Sequence, residues 1–400
     1  MFIPKMLNTS DVMYVIDNDL VMGSPLPVTE FTSQKGSKQD VIVIEDKILS
    51  LRPSLLASDG NFYEIEDDIL ADALFGEVRR GYLLESVQGL DNIYSRAKLV
   101  VLKIFSMPIV SSKIKNENPT SEMSFLQLEG LERHNLSKQI DCVSVDNEIF
   151  SVMPYYGVEL LSFAGKFSSE KIKQCFRQIT LGVSCLQRQH ICHRDLSLEN
   201  ILYNEDTGEC TIIDFGMALR VPHARKSEIA AFLINNKVAA LSKSTTITST
   251  TTQKNSRPVR CKNTNSEDVS TDGEDESFDD DYETLLMLPQ GICGKRNCIA
   301  PEVLESSEPY NGLLVDNWAL GVILFMLFTG RTPFLKALMS DKWFRQIQRE
   351  RLQRVLQRWK INHIPDAAVD LLDKLLRQGV SPKTRYSTSD ILAHPWLCEN

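Results

Sequence analysis

The second half of the chain carries apolar residues at helical spacing. Between residues 166 and 190 they share one face of a long helix, formed by Ile172, Cys175, Phe176, Ile179, Val183 and Leu186. A second helical face is formed by Val369, Leu372, Leu375 and Leu376. Ser387 and Asp390 stand three residues apart just before Ile391, and this spacing predicts a capping box at the start of a last short helix.

The first half of the chain shows shorter runs that are typical of strands. Leu99–Leu102 and Ile149–Val152 are strand-like, within a region that extends from residue 62 to residue 152. Residues 1–60 have a weaker pattern. Residues 41–44 could form a strand, but their flanks are polar, so we assign 1–60 to a weakly structured N-terminal extension. A small β-rich part followed by a larger helical part predicts an α+β, two-lobed fold.

One segment inside the helical half differs in composition. Nine of the eleven residues from Ser242 to Thr252 are Ser or Thr, and Glu267–Glu283 contains ten acidic residues and no basic one. Such a segment buries too little apolar surface to offset the entropy that it loses on ordering. We therefore predict a disordered insertion over residues 225–288. Because it lies inside the helical half, it is not a linker between domains.

The chain has 400 residues, of which 42% are apolar and 24% charged, which is typical of a soluble protein with room for one large two-lobed unit. The formal charge of −9 argues against nucleic acid and anionic membranes as partners. The acidic residues of the insertion account for this charge, so it constrains the partners of the remaining chain only weakly.

Other features favour an intracellular location. The chain does not begin with a basic patch and an apolar run of the signal-peptide type. The longest uncharged apolar stretch, Trp318–Phe328, has eleven residues, which is too short to span a bilayer and suits a core helix. Nine scattered cysteines without a Cys-x-x-Cys pair indicate free thiols in a reducing compartment. We expect a cytoplasmic protein, with the nucleus as the alternative.

Four short motifs follow one another along the chain: Val100–Lys103, His193–Asn200, Asp214–Gly216 and Ala300–Glu302. In this order, the chain resembles the eukaryotic protein kinase family over residues 62–398. The resemblance implies a kinase domain over residues 61–398, with a β-rich N-lobe at 61–153 and a mainly helical C-lobe at 157–398. The implied activity is transfer of the γ-phosphate of ATP to a serine or threonine hydroxyl of a protein, with ATP and Mg²⁺ as cofactors.

The resemblance gives roles to three residues of the two central motifs. Asp195 accepts the proton of the substrate hydroxyl and orients it for attack. Asn200 and Asp214 supply oxygen atoms of the kind that Mg²⁺ prefers. Taken alone, Asp195 would be an ordinary loop carboxylate, but its position inside the eight-residue motif favours the catalytic role.

Lys103 is expected to meet the α- and β-phosphates of the nucleotide. A lone lysine at the end of an apolar strand is more often a solvated edge residue, and the flanking motifs reverse this expectation. Lys103 also needs an acidic partner on the following helix. Glu122 lies 19 residues further on, at the family's usual spacing, and Glu129 is the alternative. Helix phase favours Glu122.

The nucleotide-binding motifs depart in part from the family pattern. The glycine-rich loop aligns with residues 71–78, where its nucleotide-binding positions are Ala71, Ala73, Gly76 and Val78. Only the third glycine is retained, and the two alanines crowd the phosphates. In the connector between the lobes, the C=O of Pro154 and the N–H of Tyr156 are expected to pair with adenine. Proline keeps its carbonyl, so this departure does not remove that bond.

Further departures lie near the catalytic motif. Ser197 stands where serine/threonine kinases carry a lysine that reaches the γ-phosphate. Lys295 replaces a usual threonine, and Cys298 replaces a usual tyrosine. Loss of one cation weakens the stabilisation of transition-state charge but leaves the base and the metal ligands in place, so we expect a slower kinase. The alternative is a pseudokinase scaffold that binds nucleotide or partners with little or no turnover.

Family positions also suggest partners and supports. Asp316 is expected to brace the catalytic loop, and Arg385 to pair with Glu302. Glu159 and Glu199 match positions that favour basic residues in peptide substrates. We therefore expect a protein or peptide substrate, and neither a nucleic acid nor a membrane as a partner. The resemblance assigns no oligomeric state.

Overall fold

A computed structural model describes residues 24–25, 33–45, 48–107, 119–127, 135–227, 282–305, 308–377 and 385–398. Its strands are β1 (Ser24–Pro25), β2 (Gln34–Lys35), β3 (Ser37–Glu45), β4 (Ile48–Leu56), β5 (Phe62–Ala73), β6 (Gly76–Ser86), β7 (Ile93–Ser106), β8 (Asp141–Val145), β9 (Glu148–Pro154), β10 (Val158–Glu159), β11 (Ile191–Cys192), β12 (Ile201–Tyr203), β13 (Cys210–Ile212), β14 (Leu219–Arg220), β15 (His223–Arg225) and β16 (Tyr282–Thr284). Its helices are α1 (Pro119–Leu126), α2 (Ser169–Arg188), α3 (Pro301–Leu304), α4 (Gly312–Thr329), α5 (Lys342–Arg349), α6 (Leu352–Arg358), α7 (Asp366–Leu376), α8 (Thr388–Leu392) and α9 (Pro395–Cys398). The predicted α+β, two-lobed class is confirmed.

The N-terminal lobe is built on one large sheet. Its strands follow the order β2–β8–β9–β7–β3–β4–β5–β6, and β6 also pairs with β7. Strands β3 to β7 therefore close into a ring of five, which removes free edges from that part of the sheet. An apolar cluster on this sheet contains the fully buried side chains of Leu55, Tyr63, Val100, Leu102, Phe150 and Val152.

The hairpin of β3 and β4 corrects the assignment of residues 1–60 to a weakly structured extension. β3 pairs along its whole length with β4, and its residues 42–44 also pair in parallel with β7. Val41 and Val43 are buried while Ile42 between them is exposed, which is the alternation of a strand with one buried face. The polar residues that obscured this strand occupy its exposed first half. Residues 1–23 and 26–32 lie outside the described residues.

The predicted helices of the C-terminal lobe are confirmed. α2 and α7 bury the two apolar faces that the sequence indicates. α8 opens with the expected capping box, in which the hydroxyl of Ser387 accepts from the N–H of Asp390 and the Asp390 carboxylate accepts from the N–H of Ser387. α4 is long and apolar enough to cross a membrane, but 83% of it is buried inside the protein, as expected for a core helix around Trp318–Phe328.

A two-stranded ribbon stands at the base of the predicted insertion. β15 pairs with β16 in antiparallel register, and Leu285 and Met287 just beyond β16 are buried. The predicted bounds of 225–288 therefore extend too far at their C-terminal end, because residues 282–284 form a strand and Leu285 and Met287 belong to the core. Residues 228–281 lie outside the described residues.

The ribbon contributes one of two stacked histidines, because His223 is the first residue of β15 and its ring stacks on His190. The His190 ring lies 4.0 Å from the His223 ring between centroids, and its Nδ1 is 3.4 Å from Oγ1 of Thr284. Burial, His223 and Arg220 lower the pKa of His190 from 6.5 to about 4. Between these two pH values the unfolded state binds a proton that the folded state does not bind, so the free energy of unfolding decreases as the pH falls.

We expect Val43→Ala to lower the free energy of unfolding by about 2 kcal/mol, because it removes methyl groups from a closed apolar cluster and leaves a small cavity. Ile42→Ala in the same strand is the matched control, and it should change stability by less than about 0.5 kcal/mol because Ile42 is exposed. Urea unfolding of both variants measures the difference. Equally small effects of the two substitutions on the free energy of unfolding would show that the hairpin is not part of the cooperative lobe.

We also expect the ribbon to open more readily as the pH falls from 7 to 5. Hydrogen exchange of the Leu285 amide, which donates to the carbonyl of Pro222 at 2.8 Å, reports this opening after correction for the intrinsic rate. His190→Asn should remove much of the pH dependence, and asparagine tolerates the φ of +55° at this position. The same dependence in the variant and the parent protein would rule out His190 as the titrating group.

Candidate functional site

A cleft of about 620 Å³ lies between the sheet and the helical lobe, within the size range of ligand sites. Its walls come from the β5–β6 hairpin, from β7, from the connector after β9 and from the loops around residues 195–214. The predicted site residues that line it are Ala71, Ala73, Val78, Lys103, Glu122, Pro154, Tyr156, Asp195, Asn200 and Asp214. Segments that are far apart in the sequence therefore meet at one place.

Lys103 and Glu122 form a close ion pair in this cleft. Lys103 Nζ lies 2.6 Å and 2.8 Å from the two carboxylate oxygens of Glu122 on α1, and 3.5 Å from Oδ1 of Asp214. Burial opposes the charge of Lys103, but the carboxylates of Glu122 and Asp214 outweigh it and raise its pKa above the ordinary value. Lys103 is thus held as a cation. The alternative partner, Glu129, lies outside the described residues.

Asp214 is held as a carboxylate beside this lysine. The charge of Lys103 is the main cause that keeps the pKa of Asp214 below its ordinary value. Asp214 has a φ of +66°, an uncommon conformation for a residue other than glycine. The next residue, Phe215, is fully buried, and its ring centroid lies 3.8 Å from that of Phe125 on α1. This apolar contact joins α1 to the segment that carries Asp214.

The loop that carries Asp195 is tied to the core helix α4. The Asp316 carboxylate accepts the backbone N–H groups of His193 at 2.6 Å and Arg194 at 3.0 Å. Burial raises the pKa of Asp316, although these bonds and the neighbouring His193 oppose the rise. Arg194 adopts a φ of +68°, so the two bonds hold the loop in a conformation that an arginine rarely takes. The expected brace is therefore present.

Asp195 is buried at the floor of the cleft. Asn200 Nδ2 donates to Oδ2 of Asp195 at 2.9 Å and to its backbone carbonyl at 2.8 Å. The backbone N–H of Lys295 donates to the other carboxylate oxygen, Oδ1, at 3.0 Å. Both oxygens are thus oriented by neighbouring donors. A carboxylate fixed in this way can accept a proton from a hydroxyl that enters the cleft.

Asn200 and Asp214 fit a magnesium ion as side chains. Nδ2 of Asn200 is engaged by Asp195, which leaves the amide oxygen as its acceptor atom. Asp214 contributes a charged carboxylate. Among the described residues no group of three or more His, Cys, Asp or Glu side chains could form a complete metal site. Two protein oxygens suit Mg²⁺, which keeps several water or phosphate oxygens as its other ligands.

Gly76 lies at a close approach between two strands of the sheet. Gly76 does not line the cleft, unlike Ala71, Ala73 and Val78 of the same hairpin. A Cβ atom at residue 76 would lie 1.8 Å from the carbonyl oxygen of Ile104 on β7. Glycine is therefore required for the close approach of β6 to β7, and the contact of Gly76 with a nucleotide stays a prediction.

Two cations of the cleft were not among the predicted site residues. Arg80 lies on β6 two residues after Val78, and the strand alternation could have placed both on the cleft side. Lys295 lies before the Ala300–Glu302 motif, and its Nζ is 3.6 Å from Oδ2 of Asp195. In the sequence, Lys295 stands out only as the replacement of a usual threonine, and the charge that it brings to the site depends on a contact that the motif does not show.

A buried ion pair anchors the segment that follows the cleft. Arg385 donates to the Glu302 carboxylate at 2.6 Å and 3.0 Å, and it also donates to the carbonyl of Leu314 on α4 at 2.7 Å. The predicted pairing of Arg385 with Glu302 is therefore confirmed. It attaches α3 to the core helix.

Comparison with known proteins agrees with this geometry. The family model described as the protein kinase domain matches residues 92–239 and 278–397, which is more than half of the chain. The chain belongs to the protein kinase family. The kinase domain is 25% identical to the human serine/threonine-protein kinase DCLK3 over 73% of this chain and 36% of that protein.

Two further relatives come from other kingdoms. The sucrose non-fermenting protein kinase 1 of Fusarium virguliforme is 26% identical over 74% of this chain and 32% of its own length. The SNF1-related protein kinase catalytic subunit alpha KIN12 of Arabidopsis thaliana is 26% identical over 66% of this chain and 39% of its own length. The chain thus spans about a third of the length of these curated relatives.

We expect Arg385→Met to destabilise the kinase domain by about 3–5 kcal/mol, because it leaves the buried Glu302 carboxylate without its cation. Arg377→Met is the matched control. It breaks the more exposed pair with Asp373 and should cost less than about 1 kcal/mol. Chemical denaturation of the two variants gives the comparison. Similar losses would contradict a structural role for the buried pair.

Proposed function

We propose that this chain is an ATP-dependent protein kinase that transfers the γ-phosphate to a serine or threonine hydroxyl of a protein. The observation that carries the proposal is the meeting of the Lys103–Glu122 pair, Asp214, Asn200 and Asp195 in one cleft. Phosphoryl transfer needs positioning and charge neutralisation more than covalent help from the protein, and these groups supply both.

Each side chain has a part in the transfer. Lys103, held positive by its carboxylate neighbours, binds phosphate oxygens of the nucleotide. Asp195 orients the substrate hydroxyl and takes up its proton as the new bond to phosphorus forms. Asn200 and Asp214 would hold Mg²⁺, which supplies neutralisation of phosphate charge when it is bound.

The remaining walls of the cleft suit the nucleoside and the peptide. The connector residues Pro154 and Tyr156 would pair with adenine, and Ala71, Ala73 and Val78 would cover the nucleotide from the hairpin. Glu159 and Glu199 also line the cleft. Their carboxylates favour a peptide substrate with basic residues, since opposite charges attract across a partly desolvated surface.

We propose that the protein acts in the cytoplasm, with the nucleus as the alternative. We also propose that its partners are protein substrates, and neither nucleic acid nor a membrane. The support is chemical. The eight cysteines of the described chain are free thiols, and six of them are buried, which suits a reducing compartment. Several of the relatives are serine/threonine-protein kinases by name, which supports the choice of hydroxyl acceptor.

Incubation with Mg²⁺ and γ-labelled ATP should label the protein itself or a basic peptide. Asp195→Asn should lower the rate by about 10²–10⁴-fold, the usual contribution of a general base, and leave the affinity for ATP within a few-fold of the parent value. Asp206→Asn at an exposed turn is the matched control and should keep full activity. A parent protein that binds ATP and transfers no phosphate would replace this proposal with a nucleotide-binding scaffold.

A further inference from the structure

The central motif lacks a cation beside its base. Ser197 occupies the position two residues after Asp195, and its hydroxyl is buried without a hydrogen-bond partner among the described residues. Arg194 of the same loop directs its guanidinium to the carbonyl of Met217, at 3.4 Å. The loop around Asp195 therefore brings no positive side chain to the point where the hydroxyl and the transferred phosphate would meet.

Lys295 brings a cation to this point from another segment. Its Nζ lies 3.6 Å from Oδ2 of Asp195, and its side chain, 32% exposed, lines the cleft together with Asn200 and Asp214. The other lysine of the cleft, Lys103, is engaged by the carboxylates of Glu122 and Asp214. Lys295 is thus the lysine that accompanies the base.

The backbone fixes Lys295 in this place. Its N–H donates to Oδ1 of Asp195, and its carbonyl accepts the N–H groups of Cys298 and Ile299 at 2.8 Å and 3.2 Å. The preceding Gly294 has a φ of +88°, and a Cβ atom there would lie 2.6 Å from the carbonyl oxygen of Arg194. The close approach of the two loops therefore depends on a glycine directly before the lysine.

We propose that Lys295 is a catalytic residue, which contacts the transferred phosphoryl group and supplies the positive charge that Ser197 does not supply. The proposal rests on the proposed kinase function. In the reaction, the hydroxyl oxygen forms a bond to the γ-phosphorus, and its proton passes to Asp195. The bond from the γ-phosphorus to the bridging oxygen breaks, and its electron pair leaves with ADP. Lys295 keeps its proton and stabilises the negative charge on the phosphoryl oxygens.

The test compares Lys295→Met and Lys295→Gln with Lys295→Arg, which keeps the charge. Lys336→Met removes an exposed lysine outside the cleft and serves as the control. Both neutral variants should lower kcat by about 10²–10³-fold, as for the loss of one oxyanion donor. The arginine variant should recover a large part of this loss, and the control should retain the parent kcat.

A binding measurement gives a readout that does not need turnover. The affinities for a non-hydrolysable ATP analogue and for ADP are measured, and neither ligand is turned over. Their comparison reports on the γ-phosphate, because the analogue carries this group and ADP lacks it. Lys295→Met should weaken the analogue several-fold more than ADP, whereas the control should leave the ratio unchanged.

Two results would overturn the role of Lys295. An unchanged ratio of affinities would show that it does not reach the γ-phosphate. A higher kcat in the neutral variants would show that the lysine restrains Asp195 instead of assisting it. If the parent protein transfers no phosphate at all, the kinase function fails, while the ratio of affinities still decides where the lysine reaches.

Discussion

The buried carboxylate of Asp316 determines where the chemistry of this protein can take place. It lies buried on the core helix α4, and it accepts two backbone N–H groups from the loop that carries Asp195. A buried carboxylate is costly unless its bonds are made, so the loop and the helix are obliged to stay together. Arg385 adds a second attachment to the same helix, because it links Glu302 to the carbonyl of Leu314.

One connection between the sheet and this framework runs through charged groups of the cleft. Lys103 on β7 meets Glu122 on α1 and lies at the limit of hydrogen-bond distance from Asp214. The rings of Phe125 and Phe215 add an apolar contact between α1 and the segment after Asp214. The position of α1 therefore affects the pKa of Lys103 through Glu122, and it affects the packing of the segment that carries Asp214 through Phe125.

Much of this could be predicted from the sequence. The motifs around Lys103, Asp195 and Asp214 can be recognised from the local order of residues. The helical faces of α2 and α7 can be recognised from the spacing of their apolar residues. The hairpin of β3 and β4 could not be recognised with the same ease. The first half of β3 is polar, and the burial of its second half depends on pairing with β7, which lies about fifty residues further along the chain.

The role of single residues at the site was harder to predict than its location. Gly76 matches a phosphate-binding glycine in the aligned motif, yet its lack of a side chain serves the approach of β6 to Ile104. The charge of Lys295 lies beside Asp195 only because Gly294 allows the two loops to approach each other closely. The contact between Lys295 and Asp195 joins residues 100 apart in the chain, so the local order of residues does not reveal it.

The ribbon of β15 and β16 has a consequence for how this protein can change over time. Arg225 and Tyr282 are paired neighbours in the ribbon, although 56 residues stand between them in the chain. The ends of the intervening segment are therefore clamped together, whatever lies between them. Doubling the length of such a closed loop costs only about 0.6 kcal/mol in closure entropy. New sequence can accumulate between these two residues, or be lost, while the catalytic groups keep their places.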